Sequence, residues 1–157
     1  MNTQLQYNVL NNSVLSTCHT LLFVYPSADL SGLSVDLSQG GMVQIILGHH
    51  SNGIEQIAAV LAQCPHVRSV YIHTTGGPGK LQLGQLTLTA HNIERYSWEL
   101  QSWFAHLPSF FQPSLILGGC NVGDGAKGIM LIDKLRHLTR SHIRCTHSSS
   151  RCHLQLV

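Results

Sequence analysis

Charge is the scarcest property of this 157-residue chain: Asp, Glu, Lys and Arg together make up 10% of it, against about 25% in an ordinary globular protein. Nine basic residues face seven acidic ones. No basic stripe with interleaved aromatics occurs, which argues against nucleic-acid binding. Basic residues gather only toward the C-terminal end (Lys134, Arg136, Arg140, Arg144, Arg151), in the manner of a solvated face. No apolar run approaches the length of a bilayer span. The start lacks a basic region before an apolar one, and Asn2 to Ser13 is polar, so no secretory signal is expected. Five cysteines (Cys18, Cys64, Cys120, Cys145, Cys152) are an odd number without tight spacing, which does not describe a disulfide framework. There is no internal repeat.

What is present is an apolar chain, 43% hydrophobic, long enough for one domain with a substantial core. Either Ser, Thr, Asn, Gln and His cover its surface, or part of that surface is buried against something else. Short apolar runs bounded by Gly and Pro read as buried strands: Leu21–Tyr25, Val43–Leu47, Val67–His73 and Leu115–Leu117, with a fifth at Ile143–Thr146. Between them, Ile54, Ile57, Ala58 and Leu61 recur at helical spacing in a segment that Pro65 ends. A longer helix is expected over Ala90–Leu107 on the stripe Ile93, Tyr96, Leu100, Trp103 and Leu107, with Trp98 off it. A last helix is expected from Gly125 or Ala126 to Leu138, with Ile129, Ile132, Leu135 and Leu138 inward. Leu81–Leu83 and Leu86–Leu88 flank Gly84-Gln85 as a small hairpin.

This alternation predicts a three-layer α/β sandwich on a mainly parallel sheet, with a small β-hairpin insertion. Residues 21–147 form the domain, 1–20 a loosely held segment in which Val9-Leu10 and Val14-Leu15 are able to dock, and 148–157 a tail. Functional groups of such sheets gather beyond the carboxyl ends of the strands. The turn at Thr74–Gly79 and the turn at Gly118–Val122 should therefore meet, with Cys120 between them.

Four stretches carry a family resemblance: Asn52-Gly-Ile-Glu-Gln-Ile-Ala58, Gly77-Pro-Gly-Lys-Leu-Gln-Leu-Gly84, the helix around Tyr96–Trp103, and Gly119-Cys-Asn-Val122. Over residues 21–146 the chain resembles the domain of unknown function, family 4347, found at the N-termini of large cyanobacterial surface and secreted proteins. That family is in turn similar to the caspase and gingipain cysteine peptidases. The resemblance implies a caspase-like sheet with a Ser-His-Gly turn after one strand and a Gly-Cys turn after a later one. In that arrangement an imidazole generates the thiolate and backbone N–H groups hold the oxyanion. It also points to export, whereas the unpaired cysteines and missing signal point to the cytoplasm, which is the compartment expected here.

The nucleophile turn is kept, with Gly119 and Cys120. The histidine turn is not, because Thr74-Thr75-Gly76 stands where the family reads Ser-His-Gly. Thr75 cannot take a proton from a thiol, and an isolated thiol with a pKa of about 8.5 is mostly protonated at neutral pH. His73 is the substitute base in the chain, but it lies two residues deeper, about 6–7 Å along a strand. Leu138-Thr-Arg-Ser-His142 also departs from the family's Leu-Thr-Gly-Ala-Asp. The expected function is thus a non-catalytic caspase-like domain acting as a binding or structural subunit, with a protein partner, no cofactor, and peripheral membrane association left open. The alternative is a residual cysteine hydrolase with Cys120 as nucleophile, His73 or the loop His49 as base, and the Gly119 amide as oxyanion donor.

Other motifs read as structural. Gly76-Gly-Pro-Gly-Lys80 fails as a phosphate loop, since Leu81 replaces the Ser or Thr that would bind magnesium. His49-His50 is a solvated turn. Cys145, His147, Cys152 and His153 form an irregular set that departs from the paired spacing of zinc sites, so a metal there is the weaker alternative.

Overall fold

The computed structural model describes residues 14–25, 42–48, 51–118 and 121–145. In chain order these hold α1 (Val14–Thr17), β1 (Thr20–Val24), β2 (Met42–Ile46), α2 (Gly53–Leu61), β3 (Ser69–His73), β4 (Gly76–Gly77), β5 (Lys80–Leu83) and β6 (Leu86–Leu88). A 3₁₀ turn (Ile93–Tyr96) follows, then α3 (Ser97–Ser102), β7 (Ser114–Gly118), α4 (Gly125–Thr139) and β8 (His142–Cys145).

The five long strands pair in parallel in the order β2-β1-β3-β7-β8. The interior strands β1, β3 and β7 are buried from their second residue onward, which is why their sequences run apolar without alternation. At the edges, β2 and β8 alternate between buried and exposed positions. The connections β2→β3, β3→β7 and β7→β8 all step the same way across the sheet, so right-handed crossovers place α2, α3 and α4 on one face. There Leu21, Phe23, Val70, Ile72, Leu115 and Leu117 pack with Ile54, Ile57, Leu100, Trp103, Leu131 and Leu135. The opposite face buries Leu22, Val24, Tyr71 and Ile116. The fold is α/β as expected, a mainly parallel sheet flanked by helices, and the hairpin forms a separate antiparallel sheet β4-β5-β6.

Each strand begins or ends within two residues of its expected place. The core also takes in Leu15 and Cys18, ahead of β1. Two helices differ from expectation. Ile93, Leu100 and Trp103 of the stripe are buried and Tyr96 and Leu107 pack partly buried against the same core, but the α-helix spans only Ser97–Ser102. Tyr96 leaves the helical region at φ −112, ψ 18, and the Ser97 and Ser102 hydroxyls donate to the carbonyls three residues back, at 2.7 and 2.6 Å. Such back-bonding offers the chain an alternative to continuous helix. Trp98 lies off the stripe and is 83% exposed.

In α4 the inward face is Gly128, Leu131, Ile132, Leu135 and Thr139, and Ile129 points outward. Gly128 turns the helix: a Cβ there would collide with the Gly123 backbone, so the helix rests on the 122–123 turn through its glycine. At the other end Arg140 closes α4 in left-handed backbone, φ 54, its N–H donating to the Arg136 carbonyl at 2.9 Å. A side chain is disfavoured in that conformation, and glycine is the common solution. Arg140→Gly should therefore raise stability by about 0.5–1 kcal/mol, read as a higher urea midpoint at unchanged slope.

Candidate functional site

The chain leaves β1 for β2 on one side and returns to β3 on the other, so strand order reverses between β1 and β3. Crevices at the carboxyl end of such a switch point are where open α/β sheets place ligands. Three backbone bonds fasten this edge: Leu47 N–H to the Val24 carbonyl at 2.8 Å, Tyr25 N–H to the His73 carbonyl at 3.0 Å, and Thr74 N–H to the Gly118 carbonyl at 3.1 Å. His73 is the last residue of β3, aligned with Val24 on one side and Gly118 on the other, and it is 2% exposed. Strand alternation puts it on the Tyr71 face of the sheet.

Beyond β3 the chain is held by the hairpin. The Thr74 hydroxyl, fully buried, donates to the Gln82 carbonyl at 2.6 Å. The Gln82 N–H donates to the Thr75 carbonyl at 3.2 Å. The Gln82 side chain donates to the Gly84 carbonyl at 2.7 Å and accepts from the Thr87 hydroxyl at 2.6 Å. Gln82 thus ties the turn after β3 to both strands of the hairpin. Its place in the Gly77–Gly84 stretch was visible, but nothing in the spacing marked it as the residue that organises the turn.

The hairpin also reaches both flanking helices. At one end, Gly79 (φ +73) donates its N–H to the Val122 carbonyl at 2.9 Å and lies against Lys127 at the start of α4. At the other, Gln85 N–H donates to the Ser51 carbonyl at 3.0 Å, beside the Asn52 cap of α2. The two glycine turns at Thr74–Gly79 and Gly118–Val122 therefore do meet, through Thr74 to Gly118 and Gly79 to Val122. Gly119, Cys120, His49 and His50 lie outside the described residues.

Thr75 is half-buried, and its carbonyl is engaged by the hairpin. Cys145 ends β8 opposite Leu117. A Cβ on Gly123 would stand 3.0 Å from its Sγ, so this thiol borders the same turn. Burial pushes the Cys145 thiol up, against the Arg136 guanidinium and with the Asp124 carboxylate, so it is a poor nucleophile at neutral pH. His147, Cys152 and His153 are outside the described residues. Among the described residues no three His, Cys, Asp or Glu side chains are grouped to hold a metal ion, and no helix is long and apolar enough to cross a membrane.

Fold and site together define an α/β domain whose parallel sheet carries two interlocked glycine turns at its carboxyl edge. The model of the family described as Domain of unknown function (DUF4347) matches residues 26–150, well over half of the chain, and the protein belongs to that family. Comparison with curated proteins and with solved structures gives no match.

Proposed function

We propose that this is a non-catalytic, caspase-like domain that serves as a binding or structural subunit of a larger protein assembly, its thiol at Cys120 being vestigial. The observation that carries the reading is the turn after β3. The position that supplies the base in the resembling peptidases is Thr75, and this turn is committed to the hairpin through the Thr74 hydroxyl and the Thr75 carbonyl. A hydroxyl of ordinary acidity does not accept a proton from a thiol at neutral pH, so the thiolate that nucleophilic catalysis requires is scarce. Low charge supports a partner surface. The reading includes a cyanobacterial origin and a protein partner, with no nucleic acid, in the cytoplasm or, as the alternative, at the cell surface.

A second reading, a residual cysteine hydrolase, is favoured by one alignment: His73 stands beside Gly118, two residues before Cys120. In that case His73 is the base and the Gly119 amide the oxyanion donor.

The rate of Cys120 alkylation against pH separates the two, read by mass spectrometry with the other four cysteines as references. The binding reading expects labelling that rises only toward pH 8.5 and above, together with retained complex formation in Cys120→Ala. Labelling that is already fast at pH 6–7, with an activity abolished in Cys120→Ala, would establish the hydrolase instead.

A further inference from the structure

Two cysteines 46 residues apart in sequence meet in the core. The Sγ atoms of Cys18 and Cys64 are 3.6 Å apart, and both residues are completely buried. Cys18 sits between α1 and β1, its thiol 3.5 Å from the Leu15 carbonyl. Cys64 follows α2, its N–H donating to the Leu61 carbonyl at 3.0 Å, and lies ahead of β3. Since β1 and β3 are parallel neighbours that start together at Thr20 and Ser69, the pair lies at the amino edge of the sheet. Gly118, which ends β7, is at the opposite edge.

We propose that Cys18 and Cys64 are a disulfide site, closing to an intradomain bond by exchange with a low-molecular-weight disulfide of the glutathione class. The sulfurs are already in contact, and an S–S bond of about 2.05 Å needs an approach of about 1.5 Å, within reach of side-chain torsions. Each cysteine is anchored at the end of a packed element, so the two are presented to one another and to no other cysteine among the described residues.

Exchange begins when one of the two thiols, as thiolate, attacks one sulfur of the oxidised glutathione, expelling one glutathione thiolate and leaving a mixed disulfide. The sulfur of the other cysteine, losing its proton, displaces the second glutathione from the first. Two protein S–H bonds are lost and one S–S bond is formed. The oxidant takes two electrons, and the two protons end on two glutathione thiols. Because both sulfurs are sealed from solvent, exchange occurs during folding or in a locally opened state.

The test refolds the full chain from reduced denaturant in a glutathione redox buffer, followed by alkylation and peptide mapping. Cys18–Cys64 should be the dominant crosslink. The thermal midpoint should rise by roughly 5–10 °C, because the bond closes a long loop, and the rise should vanish on reduction. Cys64→Ala should show neither the crosslink nor the shift, while Cys120→Ala should show both. Should Cys64→Ala fail to fold, the peptide map of the unaltered chain decides alone. Recovery of Cys18 and Cys64 as alkylated thiols after oxidative refolding, or their scatter among all possible partners, would overturn the assignment.

Discussion

Gly84→Ala is expected to cost about 3 kcal/mol or more in folding stability, a loss near a hundredfold in the folding constant. Gly84 is the hairpin residue at φ +65, a backbone region that side chains rarely occupy. A Cβ there would also overlap the Ser51 carbonyl oxygen and stand 3.0 Å from both the Gly48 carbonyl and the Gly53 N–H. All three neighbours are backbone, so none can swing aside as a side-chain end does. Gly53 is equally constrained from the other direction, its Cβ position lying 2.5 Å from the Leu83 carbonyl carbon. The hairpin and the first turn of α2 are therefore pressed together without room for a methyl group.

Relief would come from lifting the hairpin, which also holds Thr74 and Thr75 through Gln82. The variant should accordingly show two signs together. Urea unfolding should shift to a lower midpoint, and amide exchange should accelerate at Thr74 and Gln82 before it does in β1. A midpoint equal to that of the parent chain would mean that the hairpin is not docked on α2 in solution.

The contrast between what could be read from the chain and what could not follows from the range of the forces involved. Interior strands such as Val70–Ile72 and Leu115–Leu117 are buried on both faces, so their apolar runs stand out against the glycines and prolines around them. The meeting of the Thr74 and Gly118 turns follows from a parallel sheet alone, since neighbouring strands end at the same edge. The Asn52 side chain accepts the Ile54 N–H at 2.9 Å, a local cap that sits where the helical pattern begins.

The failures are all cases where a distant or subtle contact decides. The apolar stripe through Ile93 and Trp103 is real, but hydroxyl bonds from Ser97 and Ser102 and the backbone of Tyr96 break the helix it implies. The apolar spacing turns Ile129 inward, whereas the contact that orients α4 is made by Gly128, which has no side chain to mark a face. Cys18 and Cys64 carry no spacing signal because β1, β2 and α2 intervene before they meet.

Thr75→His is expected to restore reactivity at the candidate site, and its outcome bears directly on the binding reading. If Cys120 is an ordinary thiol because its base is missing, an imidazole in that turn should hold part of it as thiolate. A neighbouring His⁺ lowers a thiol pKa from about 8.5 to 7.5 or below, so the thiolate fraction at pH 6, and with it the alkylation rate of Cys120, should rise about tenfold or more. The substitution suits the site. Residue 75 is half-buried and is held through its carbonyl, so the bond to Gln82 survives, whereas replacing the buried Thr74 would remove a 2.6 Å hydrogen bond.

The rise should also carry a pH signature, since the thiolate is favoured only while the imidazole is protonated. The gain over the parent should be largest near pH 6 and shrink as pH climbs through the imidazole's own range near 6.5 and toward 8.5. A parallel change at Cys145 would point to loosened packing rather than to a restored base, because that thiol is held up by burial at the neighbouring strand end. An unchanged profile at Cys120 would show that the turn after β3 is not aimed at the thiol. Both the geometry and the histidine of the resembling peptidases would then be absent, and under the proposed binding role a partner surface should be sought away from this edge of the sheet.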